Sequence, residues 1–484
     1  MPDQTLKDKT VKGIAWKAID RFFVTGITFV FGIILARILM PSDYGLIGML
    51  AIFFAFSQLF VESGFSKALI QKKNRTDVDY STIFFFNLAV SLFFYVILYL
   101  SAHSIAVFFN EPRLKLITRI LSLNIIINSL SLVQTTRLMI KLDFKTQAVI
   151  SLISVTVSGL TAIYLAHYGF GVWALVMQNI IRTTLRTLLL FYYNKWFPLP
   201  VFSFSSFREL FGFSSKLLAA GTVAILFQNI YSLVIGKFFA AKELGYYTKA
   251  KQYPQLFSNT LTTILESVSF PVLSSLQDSP KQMISVYRRF MRVIVFFVMP
   301  SLTLFAVLAE PIIHILLTDK WLPAVPLLQW LCFARMITPI SSLNMNILNA
   351  IGRSDLFLKI DIAKIPVAII VLFITVPMGV TAIVIGNLVT TFINFFFNTY
   401  YPGKFFGFGA FKQLSEMREV ALATLVMAGS VFGIMKLLPS ELLHILVGVP
   451  VGMIVYLLMA HILNIKEKRE ITMIIVSFLK KKTV

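Results

Sequence analysis

Apolar runs of about 20 residues follow one another along almost the whole chain, with short polar segments between them. An α-helix needs a run of about this length to cross a bilayer. The pattern therefore predicts an all-α, polytopic membrane protein with about fourteen transmembrane helices. The predicted spans lie near residues 14–40, 44–70, 81–109, 114–138, 146–168, 171–193, 210–238, 243–275, 286–309, 322–349, 357–376, 379–400, 418–437 and 442–463.

Several segments of the first half recur in the second half. The stretch "ARILMPSDYGLIG" at 36–48 returns as "GKFFAAKELGYYT" at 236–248, and "GVWALVMQN" at 171–179 returns as "GVTAIVIGN" at 379–387. The first match aligns Arg37 with Lys237, Asp43 with Glu243, and Gly45 with Gly245. The matches predict two pseudo-symmetric six-helix lobes in the same orientation, and transporters built in this way bind substrate where the halves meet.

These matches divide the chain into three predicted domains. They are an N-lobe at 1–200, a C-lobe at 201–404, and a segment at 405–484 with two additional spans and a basic amphipathic tail. The repeated hairpin has two interpretations. It is either a tight turn that each lobe needs for folding, or a latch between the lobes on the outer side.

Composition and charge agree with a membrane protein. Hydrophobic residues make up 57% of the chain, charged residues make up 14%, and the mean hydropathy is +0.81. The net charge of +22 comes mostly from Lys and Arg in short loops that lie on the same side of the membrane as the N-terminus. Because such loops are usually cytoplasmic, we expect both termini in the cytoplasm and no nucleic-acid partner.

A polar stripe marks the predicted eighth span. Six polar side chains recur there at helical spacing, and at 100° per residue they share an arc of about 120°. They are Lys249, Gln252, Gln255, Asn259, Thr263 and Glu266. Such a stripe in a bilayer predicts a wet or protein-lined face, because charged groups avoid lipid.

Cations outnumber acids within the predicted spans, which favours an anionic, phosphate-bearing substrate. The candidate anion ligands are Lys249, Arg335 and Arg182 inside the spans, with Lys17, Arg21 and Lys216 at the inner mouth. The candidate sugar ligands are Gln252, Gln255, Asn259 and Asn344, and the candidates for ion coupling are Glu62 and Glu266. The alternative is that these groups satisfy one another across packed helices, with Arg182 in a structural ion pair.

Motifs of enzymes and metal sites are missing from the sequence. It has no phosphate loop, no nucleophile elbow and no paired Cys–His spacing, and Cys332 is its one cysteine. The predicted outer loops are too short for a catalytic site. We therefore expect a transporter that is not an enzyme, with no metal or cofactor, driven by an ion gradient, the membrane potential or the substrate gradient.

Three segments resemble bacterial polysaccharide flippases of the multidrug/oligosaccharidyl-lipid/polysaccharide exporter superfamily, of the O-antigen and colanic-acid exporter type. They are "RILMPSDYGLIGMLAIFFAFSQLFVESGFSKALIQKKNRTDVDYSTIFFFNL", "RLMIKLDF" and "NAIGRSDLFLKIDIAKIP". The resemblance covers about residues 10–400. The rival major facilitator family usually has a "GxxxDRxGRR"-like loop after its second span, and "SKALIQKKNRTDVD" stands there instead.

The resemblance implies a carrier that flips undecaprenyl-diphosphate-linked oligosaccharides from the inner to the outer leaflet of the bacterial inner (cytoplasmic) membrane by alternating access, for the synthesis of a surface polysaccharide. Its implied partners are this lipid-linked substrate, membrane lipids, a proton or sodium counter-ion, and the polysaccharide polymerase machinery. Two alternatives stay open, a drug or organic-cation antiporter of the same superfamily and a flippase for the peptidoglycan lipid precursor.

Overall fold

The computed structural model describes residues 2–62 and 64–468, with side chains throughout except at 2–15, 17, 18, 212–217, 219, 220, 223, 354 and 358. Within these ranges the chain forms eighteen α-helices, two short 3-10 helices and no strand. The helices are α1 (Pro2–Ile38), α2 (Pro41–Glu62), α3 (Phe65–Gln71), α4 (Asp77–Phe108), α5 (Leu114–Leu121), α6 (Leu123–Ile140), α7 (Phe144–His167), α8 (Val172–Asn194), α9 (Phe204–Phe238), α10 (Ala241–Ser275), α11 (Pro280–Val307), α12 (Ala309–Leu317), α13 (Val325–Met336), α14 (Thr338–Ala350), α15 (Ser354–Thr375), α16 (Val380–Phe406), α17 (Ala410–Met435) and α18 (Glu441–Ile462). The predicted all-α class is confirmed.

The helices pack into two compact units, Met1–Gly245 and Tyr246–Val484. We call them unit 1 and unit 2. These units are defined by contacts between helices, whereas the predicted domains were defined by repeated sequence segments. The predicted domains at 1–200, 201–404 and 405–484 therefore remain a prediction.

Ten segments of the described chain are long and apolar enough to cross a membrane. Four further long helices, α8, α9, α10 and α15, are not among them. Charges interrupt the apolar sequence of α8 at Arg182 and Arg186, and that of α10 at Lys249 and Lys251. The membrane character is confirmed, but the count of fourteen spans is not.

Large apolar side chains cover the outside of many helices. Phe373 is 83% exposed, Phe411 is 81% exposed and Leu437 is 82% exposed. Soluble monomers rarely leave such wide apolar surfaces open to water. Together with ten long apolar helices whose backbone groups are satisfied internally, this surface fits a multi-pass membrane protein.

Three of the predicted spans are broken helices in the structure. The predicted span at 44–70 divides between α2 and α3 beside Gly64, whose φ of 77° is in the left-handed region that glycine adopts readily. The predicted span at 114–138 divides at Ser122, and the one at 322–349 divides at Ile337, two residues before Pro339. Apolar length alone did not reveal these breaks, because each depends on local backbone geometry.

In unit 1 the segment that leads into α9 is tied to α4. The indole nitrogen of Trp196 donates to Asp77 at 3.0 Å, and Arg137 of α6 pairs with the same carboxylate at 3.1 Å. The backbone N–H of Leu199 donates to the Ser81 hydroxyl at 2.9 Å. These bonds hold the segment before α9 in place, and α9 then packs against α2, α3 and α4.

The two repeated glycine hairpins also meet in unit 1. A Cβ added at Gly45 would overlap the carbonyl oxygen of Ala241, and a Cβ added at Gly245 would overlap the carbonyl oxygen of Pro41. The first turns of α2 and α10 thus pack against each other reciprocally, with no room for a side chain. Asp43 stabilises one of these turns by accepting the backbone N–H of Met40 at 3.0 Å.

In unit 2 the two C-terminal helices are packed onto the rest of the unit. Helices α17 and α18 contact each other, α17 also packs on α11, and α18 packs on α12. The hydroxyl of Tyr456 donates to the Phe296 carbonyl at 2.7 Å, which joins α18 to α11. The pair is therefore an integral part of unit 2 and not a loose appendage.

Candidate functional site

The predicted polar stripe lies on α10 and changes from buried to exposed along the helix. Lys249 is only 3% exposed, Gln252 and Gln255 are half-buried, and Asn259 and Glu266 are exposed. A long side chain with a buried ammonium needs polar or charged neighbours, because an isolated charge is costly in an apolar interior. The stripe thus offers a deep cation at one end and open amide groups farther along.

A second cation of α10 adjoins Arg335, which lies near the end of α13. The half-buried Lys251 is close enough to Arg335 for the two positive charges to repel each other. The Ser258 hydroxyl donates to the Arg335 carbonyl at 3.2 Å and joins the two helices. Two neighbouring cations are a favourable place for an oxyanion, which removes their repulsion and accepts charge-assisted hydrogen bonds.

Lys251 was absent from the set of candidate ligands drawn from the sequence. It follows Lys249 by two residues, and two residues turn a helix by about 200°. The stripe pattern therefore placed it on the opposite face from the candidates. Its position deep in a predicted span was the one feature of the sequence that could have identified it as a ligand. Its nearness to Arg335 depends on how α10 packs against α13.

Two further side chains of α10 are hydrogen-bonded to α14. The Ser342 hydroxyl donates to the carboxylate of Glu266. The Asn346 amide donates to the Ser269 hydroxyl at 3.5 Å. Glu266 therefore has a polar partner within unit 2, and its predicted role in ion coupling remains a prediction.

Asn344, a predicted sugar ligand, lies in the core of unit 2. Its side chain is fully buried, and its amide donates to Gln413 at 3.1 Å and to the Ile340 carbonyl at 3.0 Å. The Tyr287 hydroxyl donates to its side-chain oxygen, and the Gln413 amide donates to that oxygen at 2.9 Å. Because both ends of this amide are already bonded inside the core, we assign Asn344 to helix packing and leave it out of the proposed sugar site.

Unit 1 contains a separate polar group formed by α1, α2 and α8. Arg182 and Arg186 lie one turn apart on α8, and both side chains are exposed. The negative charges of Asp20 and Glu62 attract Arg186. The Gln58 amide donates to Glu62 at 2.8 Å. The group therefore combines two cations with two acids, which suits both anion binding and a structural ion-pair network.

The other predicted cations of the inner mouth are described only in part. Arg21 on α1 is exposed. The side chains of Lys17 and Lys216 lie outside the described residues. The roles predicted for all three residues remain predictions.

Each unit thus carries cations on a long helix, α8 in unit 1 and α10 in unit 2. Unit 1 brings together Arg182, Arg186, Glu62 and Asp20, and unit 2 brings Lys251 to Arg335 beside the α10 stripe. Long membrane helices with charged and amide groups in their middle are typical of transporters. The fold and these groups place the protein in the class of polytopic membrane transporters.

Comparison with protein families gives the particular family. The family described as "Polysaccharide biosynthesis protein" matches residues 34–326, which is more than half of the chain. The chain belongs to this family, the polysaccharide flippases of the multidrug/oligosaccharidyl-lipid/polysaccharide exporter superfamily. The family predicted from sequence is confirmed.

Two curated relatives are similar over most of their length. The lipopolysaccharide biosynthesis protein WzxC of Escherichia coli (strain K12) is 23% identical over 393 residues, which cover 81% of this chain and 80% of WzxC. The succinoglycan biosynthesis transport protein ExoT of Rhizobium meliloti (strain 1021) is 24% identical over 340 residues, which cover 70% of this chain and 69% of ExoT. The chain is thus a membrane transporter of the flippase type used in polysaccharide biosynthesis, and its family is one of transporters and not of enzymes.

A solved structure has a similar fold. The lipid II flippase MurJ in an inward closed conformation superimposes with a TM-score of 0.74 at 16% identity. The match covers 93% of this chain and 98% of MurJ. At this identity the likeness establishes the fold alone.

Proposed function

We propose that the protein flips undecaprenyl-diphosphate-linked oligosaccharide units from the inner to the outer leaflet of the bacterial cytoplasmic membrane. It does so by alternating access and serves the synthesis of a surface polysaccharide. Family membership supports the export of a polysaccharide precursor. The observation that carries the substrate class is the place where α10 meets α13, because the Ser258 hydroxyl bonds the Arg335 carbonyl at 3.2 Å there and the charge of Arg335 acts on Lys251. Two cations on adjoining helices suit a diphosphate.

The diphosphate is bound by cationic side chains during the transport cycle. We keep the ligands predicted from the sequence and add Lys251, because it adjoins Arg335. The proposed ligands are Lys249, Lys251, Arg335, Arg182, Arg21, Lys17 and Lys216. Several weak contacts suit a carrier, because a substrate held too tightly would not be released.

The sugars are bound by the amide side chains of α10. Gln252 and Gln255 are half-buried and Asn259 is exposed, so all three can exchange contacts with a hydroxyl-rich substrate. Amides both donate and accept hydrogen bonds, as sugar hydroxyls require. The polyprenyl chain remains in the lipid.

Ion coupling is proposed for Glu62 and Glu266, with a proton or a sodium ion as the counter-ion. Glu62 is the better supported of the two, because it lies beside Arg186 and Gln58. A counter-ion bound there would offset the negative charge that attracts Arg186. The polysaccharide polymerase machinery is the proposed protein partner.

We also propose fourteen spans with both termini in the cytoplasm. The ten apolar segments supply ten of them, and α8, α9, α10 and α15 supply the other four. These four helices are 22 to 35 residues long, which is sufficient to cross the bilayer.

The first experiment is the lipid analysis of a deletion strain. We expect undecaprenyl-diphosphate oligosaccharide to accumulate while surface polysaccharide disappears. Intact surface polysaccharide with altered drug sensitivity would support the antiporter alternative instead. Lethality that a known peptidoglycan-precursor flippase rescues would support the second alternative.

Complementation then tests the proposed ligands. Lys249→Ala and Arg335→Ala should each lower surface polysaccharide by at least about tenfold, because a lost charge-assisted hydrogen bond is worth about 1.5–3 kcal/mol. Lys436→Gln is the matched control, since Lys436 lies at the end of α17 and stacks on Phe432. Normal polysaccharide in both alanine variants, with wild-type amounts of protein in the membrane, would contradict the assignment.

A further inference from the structure

Unit 2 contains a polar cavity that the proposed transport mechanism does not use. It has a volume of about 260 Å³ and lies where α11, α17 and the chain after α18 meet. Its basic lining residues are Arg288 and Arg292 of α11, Arg418 of α17, and Lys466. None of these residues belongs to the proposed substrate ligands.

Two of these cations also hold the helices of the cavity together. Arg288 pairs with Glu416, and Arg292 donates to Glu467 at 2.6 Å and to Glu416 at 3.4 Å. Two guanidinium groups carry ten N–H donors, whereas the two carboxylates offer about eight lone-pair positions. The ion pairs therefore leave an excess of donors beside the cavity.

The other two cations add charge without a counter-charge of their own. The side chains of Arg418 and Lys466 are exposed, and neither forms an ion pair within residues 2–62 and 64–468. The remaining acid of the lining, Glu419, is also exposed. The excess of donors and the two exposed cations together favour an oxyanion ligand.

The sequence of the three helices gives the depth of the cavity in the membrane. After Arg292 the rest of α11 has no Lys, Arg, Asp or Glu, and the same is true of α17 after Glu419. Between Glu441 and Lys466 the chain again has none. The charged-to-apolar boundaries of three membrane helices therefore coincide at this cavity, as expected at the level of the lipid headgroups.

We propose that this cavity binds the phosphodiester headgroup of an anionic membrane lipid. Arg418 and Lys466 make the first contacts, and the spare donors of Arg288 and Arg292 complete them. The lipid would connect α11, α17 and the chain after α18, and so stabilise the attachment of the C-terminal helix pair within unit 2. Basic pockets between membrane helices bind phosphate-bearing lipids in this way.

The test uses the full chain purified in a neutral detergent. Phosphatidylglycerol is titrated while the midpoint of thermal unfolding and the number of bound lipids in native mass spectra are measured. We expect phosphatidylglycerol to raise the midpoint and phosphatidylcholine to leave it unchanged. The double variant Arg418→Gln/Lys466→Gln should need about tenfold more phosphatidylglycerol for the same rise.

The controls separate this proposal from its rivals. Lys436→Gln changes a cation at the other end of α17 and should respond like the wild type. An unchanged phosphatidylglycerol response in the double variant would overturn the proposal. An equal rise in the midpoint of unfolding with inorganic phosphate alone would show that the ligand is a free phosphate ion and not a lipid. Because these measurements do not involve transport, they are independent of the proposed function.

Discussion

His314 has a carboxylate at each of its two ring nitrogens. Its Nδ1 contacts Glu441 at the start of α18, and its Nε2 is 2.5 Å from Asp319 in the 3-10 turn after α12. Ionised carboxylates only accept hydrogen bonds, so this arrangement favours an imidazole with both protons. The hydrogen bond to Glu441 is the main cause that raises the pKa of His314 above its ordinary value, and Asp319 adds to it.

This contact predicts a pH-dependent stability of unit 2. Because the pKa is raised in the folded protein, the contribution is fully present below the unfolded value of about 6.5 and is lost as the pH rises through the folded pKa. We expect the melting temperature to fall over that interval in the wild type and to fall less in His314→Gln. Glu441→Gln should move the pH at which the melting temperature falls toward the pKa of His314 in the unfolded protein. Identical pH profiles of the wild type and His314→Gln would refute the prediction.

Tyr287 gives a second prediction at the residue scale. Its hydroxyl lies in the buried network with Asn344 and Gln413, where the Gln413 amide donates to it at 3.0 Å. Tyr287→Phe should lower the free energy of unfolding by about 1–3 kcal/mol, because it leaves buried polar partners unsatisfied. The measurement is thermal or denaturant unfolding in detergent.

An exposed tyrosine provides the control for this prediction. Tyr400→Phe, at a side chain that is 62% exposed, should be close to neutral. The same network also tests the assignment of Asn344. If Asn344→Ala kept wild-type stability and changed only the choice of sugar, Asn344 would return to the sugar site.

At the scale of elements, the crossing of α2 and α10 depends on Gly45 and Gly245. Each glycine packs against the carbonyl oxygen at the start of the other helix, so an added methyl group forces the two first turns apart. Gly45→Ala and Gly245→Ala should each reduce transport severely while the protein still reaches the membrane. Cysteines placed at the two helix starts should also lose their disulfide cross-link in the alanine variants.

Glycines of another helix give the matched control. No atom lies within 4 Å of a Cβ added at Gly429 or Gly433 on α17. Alanine is favoured over glycine inside a helix by about 1 kcal/mol. Gly429→Ala should therefore keep full transport and wild-type or slightly higher stability. Wild-type transport in both hairpin variants would mean that the crossing is not required for the cycle.

The broken helices show how much an element can depend on its surroundings. Sequence placed a helix at each predicted span, and the structure has a helix or a broken helix at every one of them. It did not place the breaks at Gly64, Ser122 and Ile337. A bilayer-length apolar run is a property of composition, whereas a break needs a left-handed glycine, a proline or a local hydrogen bond in a particular setting.

At the scale of the whole molecule, the orientation in the membrane can be measured directly. After Cys332→Ala removes the one native cysteine, single cysteines are placed at exposed positions on opposite predicted sides, Lys73→Cys and Lys115→Cys. A membrane-impermeant maleimide should label the cysteine at 115 in intact cells, and the cysteine at 73 only after permeabilisation. The reverse labelling would place the termini outside.

Only part of the proposed substrate site could be predicted from the sequence. Sequence identified cations at membrane depth, and family membership confirms that they belong to a transporter. It could not separate Lys251, which adjoins Arg335, from cations with other neighbours. It also could not tell the half-buried Gln252 from the buried Asn344, because both are amides in an apolar run.

The sequence by itself determined that this protein lies in a membrane, that it is all-α, and which family it belongs to. These properties follow from the length of apolar runs, the placement of Lys and Arg, and local motifs, and each is encoded along the chain. The tertiary structure decided which polar side chains face one another. Asn344 meets Gln413, His314 meets Glu441, and Gly45 meets Ala241 across long separations in sequence. Such contacts depend on how helices cross, and the direction of a helix in space is not written in its own residues.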